Sequence, residues 1–166
     1  GYGYGNISQR IKGEQFIISG TQTGGIAELS IDNYCLVEAT DLHKNTLYSS
    51  GPCKPSSEAL SHASVYTQDA NIQCIIHAHS PEIWRTTKVL KLAHTPKDVA
   101  YGTADMAYAI TELFNSGQLD KQPLFTMLGH EDGVISFGQN FDEAASVMIK
   151  LLVMARMQTL SVRNEK

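Results

Sequence analysis

The chain has 166 residues, 42% of them hydrophobic, enough for one globular domain burying roughly 68–70% of its unfolded surface. A net charge of −4 and a pI near 5.8 speak against a general nucleic-acid or membrane-surface binder. No apolar run reaches ~18 residues, Lys150 and Arg156 interrupt the most hydrophobic stretch, and no signal peptide is visible, so no membrane span is expected. The glycine-rich opening GYGYGNIS starts at Gly1 rather than at Met, which predicts a missing segment in front of it.

Without repeats, linkers or low-complexity tracts, residues 1–166 read as one domain. EQFIIS (14–19), YCLVEAT (34–40) and TLYSS (46–50) are predicted strands, rich in β-branched and aromatic residues between turn-formers. SSEALSHASVYTQD (56–69) predicts a helix with Ser56 or Ser57 as N-cap and Glu58 in its first turn. Its apolar Ala59, Ala63 and Tyr66 recur at helical spacing. IQCII (72–76) is a continuous apolar run suited to a central strand, and ADMAYAITELFNSG (104–117) predicts a helix closed by Gly117. PLFTML (123–128) and GVISFG (133–138) are two more predicted strands. Residues 141–160 give the clearest helix: Ala144, Met148, Leu151 and Ala155 form an apolar stripe, Asp142 and Glu143 suit its first turn, and Arg156 its last. Hairpin-like strand pairs mixed with strand–helix alternation predict an α/β fold with a mixed sheet covered by helices. Cys35, Cys53 and Cys74 are odd in number and lack C-x-x-C spacing, so reduced thiols in the cytoplasm are expected, not a disulfide framework.

The chemistry concentrates in CIIHAHSP (74–81). Strand side chains alternate faces, so His77 and His79 aim two imidazoles the same way, which is how a chelating pair is built from β structure. The plain alternative is two polar residues at a strand end. His130, in MLGHEDG just past another predicted strand, offers a third nitrogen. His43 and His94 fall in predicted loops and read as surface histidines. His62 lies one turn after Glu58 on the same helix face, placed to orient that carboxylate or else simply exposed.

GNIS (5–8), SGTQTGG (19–25), KPSSE (54–58), HAHSP (77–81), YGTADMA (101–107) and GHEDGV (129–134) occur in the order and rough spacing of the class II aldolase/adducin family, which the chain resembles over nearly its whole length. The resemblance implies a three-layer α/β/α sandwich around a central, largely antiparallel mixed sheet, a homotetramer, and a helical segment before GNIS. Family members include fuculose-phosphate-type aldolases, ribulose-phosphate 4-epimerases, a methylthioribulose-phosphate dehydratase and the non-enzymatic adducin head domains. By the same resemblance, His77, His79 and His130 look like three ligands of zinc or another divalent metal, and Glu58 like the general acid/base. Asn6, Thr23, Gly24, Ser56 and Ser57 look like the groups that hold a substrate phosphate. The chemistry of these residue types agrees. Three nitrogens and an open fourth position make a catalytic zinc site, and a helix start favours an anion.

Two departures stand out. The third ligand is followed by Glu131 and Asp132 before Gly133, where the family often reads His-Gly, and no counterpart is evident for the tyrosines that such aldolases draw from a mobile loop and the C-terminal tail. The expected function is a zinc-dependent aldolase that cleaves a phosphorylated ketose through a metal-stabilised enediolate. The alternatives are an epimerase or dehydratase on the same metal site, or an adducin-like interaction domain without catalysis. An epimerase of this family carries Asp where Glu58 stands, which favours the aldolase. The expected partners are a small sugar phosphate and further copies of the chain.

Overall fold

The histidine-bearing strand is the middle of the molecule. In the computed structural model, which describes residues 4–164, eight strands form one sheet in the order β4-β3-β2-β1-β5-β8-β7-β6. The first three residues of the glycine-rich opening and the last two of the tail lie outside the described residues. The strands are β1 (Gly5–Lys12), β2 (Gln15–Ser19), β3 (Tyr34–Asp41), β4 (Thr46–Ser50), β5 (Cys74–His79), β6 (Ala93–Thr95), β7 (Leu124–Met127) and β8 (Gly133–Gly138). All pairings are antiparallel except β6 with β7. The helices are α1 (Ala59–Gln68), α2 (Pro81–Arg85), α3 (Ala104–Asn115) and α4 (Phe141–Asn164).

Two apolar clusters on opposite faces of the sheet make the three layers that the sequence led us to expect. On one face Phe16, Ile18, Val37, Ile75 and Ile135 pack against Ala59, Ala63 and Tyr66 of α1 and Met106, Ile110 and Leu113 of α3. On the other, Leu124 and Val134 meet Ile83 of α2 and Leu151 and Ala155 of α4. Of the apolar stripe read along α4, Ala144, Leu151 and Ala155 are buried and Met148 is half-buried, because i, i+3, i+4 spacing places those residues on one side of the helix. The helix runs on to Asn164, so Arg156 lies within it, not in its last turn, and pairs with Glu82 of α2 at 3.1 Å.

Several boundaries move for identifiable reasons. The helix expected from residue 56 begins at Ala59, with Glu58 at the N-cap position. Ser56 Oγ accepts the Glu58 N–H (3.2 Å), and the Ser56 carbonyl accepts the Ala59 N–H (3.1 Å), which closes a turn before the helix proper. Neither serine is therefore the N-cap. At the other end, Arg10 of β1 donates to the carbonyls of Tyr66 (2.7 Å) and Asp69 (2.9 Å), satisfying groups that a helix C-terminus leaves open. The strand expected over 72–76 runs instead from Cys74 to His79, so both histidines lie within it. β1, α2 and β6 were not anticipated. β1 carries Asn6, Ser8 and Arg10 on alternate positions, so it lacks the apolar signal of a central strand although it occupies that place between β2 and β5. α2 is only five residues long, set by Ser80, whose Oγ accepts the Ile83 N–H, and by Pro81 at its start. α3 opens on Thr103, whose Oγ1 accepts the Met106 N–H (3.2 Å), and ends where Gly117 takes a φ of +70°.

Candidate metal and active site

β5 delivers His77 and His79 two residues apart on one face, and the turn between β7 and β8 delivers His130. One nitrogen from each imidazole lies within 4.8 Å of the other two, which brings the three within reach of a common ion. The rings pack around a point, with centroids 5.2 Å apart for His77–His79 and His77–His130 and 4.7 Å for His79–His130. His77 is 3% exposed, and its Nδ1–H donates to the Val134 carbonyl (3.2 Å), which fixes the tautomer and leaves Nε2 with its lone pair free. Burial pushes the His77 pKa down to about 4 and lowers that of His79. Both are neutral at pH 7, the state in which imidazole binds a metal.

The turn that carries His130 explains the two residues standing between it and Gly133. The Gly133 N–H donates to the His130 carbonyl (2.9 Å), with Asp132 in the left-handed region at φ +63°. Gly133 still abuts the imidazole, since a Cβ there would approach His130 Cγ to 3.1 Å. Behind His130, Gly129 admits the chain of a neighbouring loop: a Cβ on it would fall 1.9 Å from the Val99 carbonyl oxygen. Two residues beyond Val99, the ring of Tyr101 stacks on His130 with centroids 4.2 Å apart and 29° between planes. Reading the sequence missed this contact. Tyr101 stood within the YGTADMA motif, but only the packing of loop 97–101 on Gly129 brings it to the imidazole. Tyr4, whose ring centroid lies 5.2 Å from that of His79, was likewise missed.

Glu58 stands at the start of α1, 2% exposed, with Oε1 3.1 Å from His130 Nδ1. The angles do not make that contact a hydrogen bond, and both carboxylate oxygens are buried without a hydrogen-bond partner. Burial works to raise the Glu58 pKa, but the imidazoles of His130, His77 and His62 outweigh it and hold the group below the ordinary carboxylate range. Glu58 is thus ionised at neutral pH.

His62 is not on the surface. It is wholly buried one turn along α1, its Nδ1 2.7 Å from Ser8 Oγ, which in turn lies 2.8 Å from the Tyr66 hydroxyl. Burial depresses its pKa to about 3, so it is neutral, and its Nε2 has no partner. His43 lies in the exposed turn between β3 and β4, and His94 is exposed on β6, outside the cluster.

A cavity of about 390 Å³ opens in front of the three histidines and Glu58. Asn6, Gly24, Ser56 and Ser57 line it, as do Thr21 and Gln22, which the sequence did not single out. Thr23 does not: it is buried behind the wall, donating its hydroxyl to the Gly20 carbonyl (2.8 Å). Asn6 Oδ1 is buried without a partner. The arrangement offers three imidazoles that could hold a metal ion, a carboxylate able to take a proton, and a rim of hydroxyl, amide and backbone groups.

Residues 1–159 match the sequence profile of the class II aldolase and adducin N-terminal domain. A search of curated protein sequences gave no match. Among solved structures, an L-fuculose 1-phosphate aldolase superposes with a TM-score of 0.75 at 16% identity, over 99% of this chain and 79% of that one. The L-fuculose-1-phosphate aldolase of Thermus thermophilus gives 0.71 at 18% identity, over 99% and 86%. YgbL of Escherichia coli, described as a candidate aldolase, epimerase or decarboxylase, gives 0.72 at 18% identity, over 96% and 80%. At such identities the likeness is one of fold.

Proposed function

Because this chain belongs to the class II aldolase and adducin N-terminal domain family, we propose that it is a divalent-metal-dependent lyase that cleaves a phosphorylated ketose at a carbon–carbon bond. The observation that carries this reading is the Glu58 carboxylate: buried, ionised, without a hydrogen-bond partner, and beside three imidazoles at the floor of a cavity. A buried polar group left unpaired costs about 1–3 kcal/mol, and such a cost calls for a functional explanation. A domain that serves only as a docking module has no use for it.

His77, His79 and His130 would hold the ion, and an all-nitrogen set of three suits zinc. When bound, a divalent ion there supplies a Lewis acid that polarises the ketose carbonyl and steadies the negative charge developing on its oxygen. Glu58 is the group that takes and returns the proton at the reacting centre. Ser56, Ser57, Gly24 and Asn6 hold the phosphate from the rim, and Thr23 braces the Gly20 carbonyl behind it. Tyr101, stacked on His130, covers that ligand from the side and keeps water from its ring. The same reading places the enzyme in the cytoplasm, with its three cysteines free in the resting protein, and assembles it as a homotetramer. Among the described residues no helix is long and apolar enough to cross a membrane.

The test is solvent exchange of the carbon-bound proton of dihydroxyacetone phosphate, because it needs no knowledge of the aldehyde partner. Zinc-loaded wild type should exchange it. Glu58→Gln keeps the shape and loses the base, so exchange should fall by about 10²–10⁴-fold with metal still bound. Wild type that exchanges no proton of any phosphorylated ketose would refute the lyase reading. Exchange that persists in Glu58→Gln would move the base to another residue lining the cavity.

A further inference from the structure

Two thiols meet behind the cavity wall. Cys35 is buried on β3, and Cys53 sits half-buried in the loop after β4, packed against the apolar cluster that contains Cys35. The backbone between β4 and Cys53 is drawn close to β3. A Cβ on Gly51 would come within 3.1 Å of Cys35 Cα, and the φ of +131° there suits glycine. On its other side, Cys53 Sγ rests on Gly20, where a Cβ would stand 2.8 Å from the sulfur.

Gly20 is part of the cavity wall. The loop that continues from it is tied to both cysteine-bearing segments: the Gly20 N–H donates to the Asn33 carbonyl (2.7 Å) and the Thr21 N–H to the Lys54 carbonyl (3.0 Å). Ser56, Ser57 and Glu58 follow Cys53 by only a few residues. Neither sulfur has a part in the chemistry proposed above. Burial, with the adjacent Cys53 thiol adding to it, pushes the Cys35 thiol up to about 11, so Cys35 stays protonated, while Cys53 is the less buried of the two.

We propose that Cys35 and Cys53 form a redox-modification site, in which a peroxide joins the two sulfurs in a disulfide and displaces the cavity wall that Cys53 supports. The Cys53 thiolate attacks one peroxide oxygen; the other oxygen leaves as hydroxide, takes up a proton and becomes water, and Cys53 is left as a sulfenic acid. The Cys35 sulfur then attacks that sulfur, and its proton leaves with the sulfenyl hydroxyl as a second water. One S–S bond replaces two S–H bonds, and both electrons go to the peroxide. Bonding to Cys35 draws Cys53 off Gly20 and pulls on Lys54, so the Thr21–Lys54 hydrogen bond loosens and the wall from Gly20 to Gly24 loses its register with Ser56 and Ser57. The effect on ligand rests on the reading of this cavity as a sugar-phosphate site, whereas the disulfide itself does not.

The test treats the full chain with hydrogen peroxide and reads three signals. Peptide mass spectrometry should show residues 35 and 53 linked with the loss of two hydrogens, Cys74 free, and reversal by dithiothreitol. Amide hydrogen exchange should rise in residues 20–24 and 54–58 on oxidation. Affinity for inorganic phosphate should fall several-fold, and Cys53→Ser, which leaves the buried Cys35 in place, should show neither change. Sulfinic acid at Cys53 without a disulfide, a link through Cys74, or a 35–53 disulfide that leaves exchange unaltered would each overturn the proposal. A protein that binds no phosphate in either redox state counts against the sugar-phosphate reading instead, and the mass and exchange results still decide for or against the switch.

Discussion

The two faces of the sheet are built on opposite terms. Under α2 and α4, Leu124, Val134, Ile83, Leu151 and Ala155 make a dry contact, and the polar groups buried nearby pair off, as Thr87 Oγ1 does with Thr126 Oγ1 at 2.9 Å. Ser136 Oγ is the exception. Where α1 begins on the other face, the cost runs the other way: Glu58, His62, Asn6 and His130 all bury polar atoms without hydrogen-bond partners. The α1/α3 face holds the larger apolar cluster as well, so the unpaired groups are confined to the start of α1 and the strand ends beside it. The difference teaches that the unpaired groups are tolerated because α3, α4 and the sheet hold the fold without them, which leaves them free to meet a ligand.

The sharpest way to break this comparison is at the metal. His77→Ala should abolish nearly all bound divalent ion, measured by atomic emission on the purified chain, while the far-ultraviolet circular dichroism stays unchanged. The His130→Ala variant should do the same, and His94→Ala should leave the ion in place. A His77→Ala protein that unfolds would show that the site face carries stability after all.

Acid should act next, and chiefly through the site face. His62 and His77 have folded-state pKa values of about 3 and about 4, below the ordinary 6.5. The unfolded chain therefore binds more protons in that window, so stability is present above pH 6.5 and is lost as pH falls. Each histidine contributes a slope of about 1.4 kcal/mol per pH unit between those limits. Urea unfolding of the metal-free protein from pH 7 to pH 4.5 should show it, and His62→Gln should remove about one proton's share.

On the other face, Leu151→Ala leaves a cavity in the dry contact and should cost about 2–5 kcal/mol, read as a lower urea midpoint. Metal stoichiometry should not change. A loss of metal there would mean that the two faces are not separable.

What the sequence made legible follows the same division. The stripe of Ala144, Leu151 and Ala155 declared α4 because a dry face has a period, and the alternation of His77 and His79 declared a shared direction because a strand has one too. β1 was hidden because its site-facing positions are polar: Ser8 is buried only by virtue of His62 and Tyr66, residues more than fifty positions away. His62 was hidden for the same reason, since an imidazole on a helix looks exposed until its partner on another element is known. The stacking of Tyr101 on His130 depends on how loop 97–101 returns over Gly129, and local residue preferences do not encode that return. The start of α1 shifted because the Ser56 hydroxyl serves the turn before the helix, a choice that nearby residues alone leave open.

The close approach of Val99 to Gly129 has an implication for heredity. No methyl group fits between that carbonyl and that α-carbon, so the loop bearing Tyr101 and the turn bearing His130 hold their contact only while position 129 is glycine. A descendant that acquired alanine at position 129 would have to rebuild residues 97–101 in the same step or lose the placement of both side chains. The placement of the third histidine and that of the ring that covers it thus hang on the same missing methyl group.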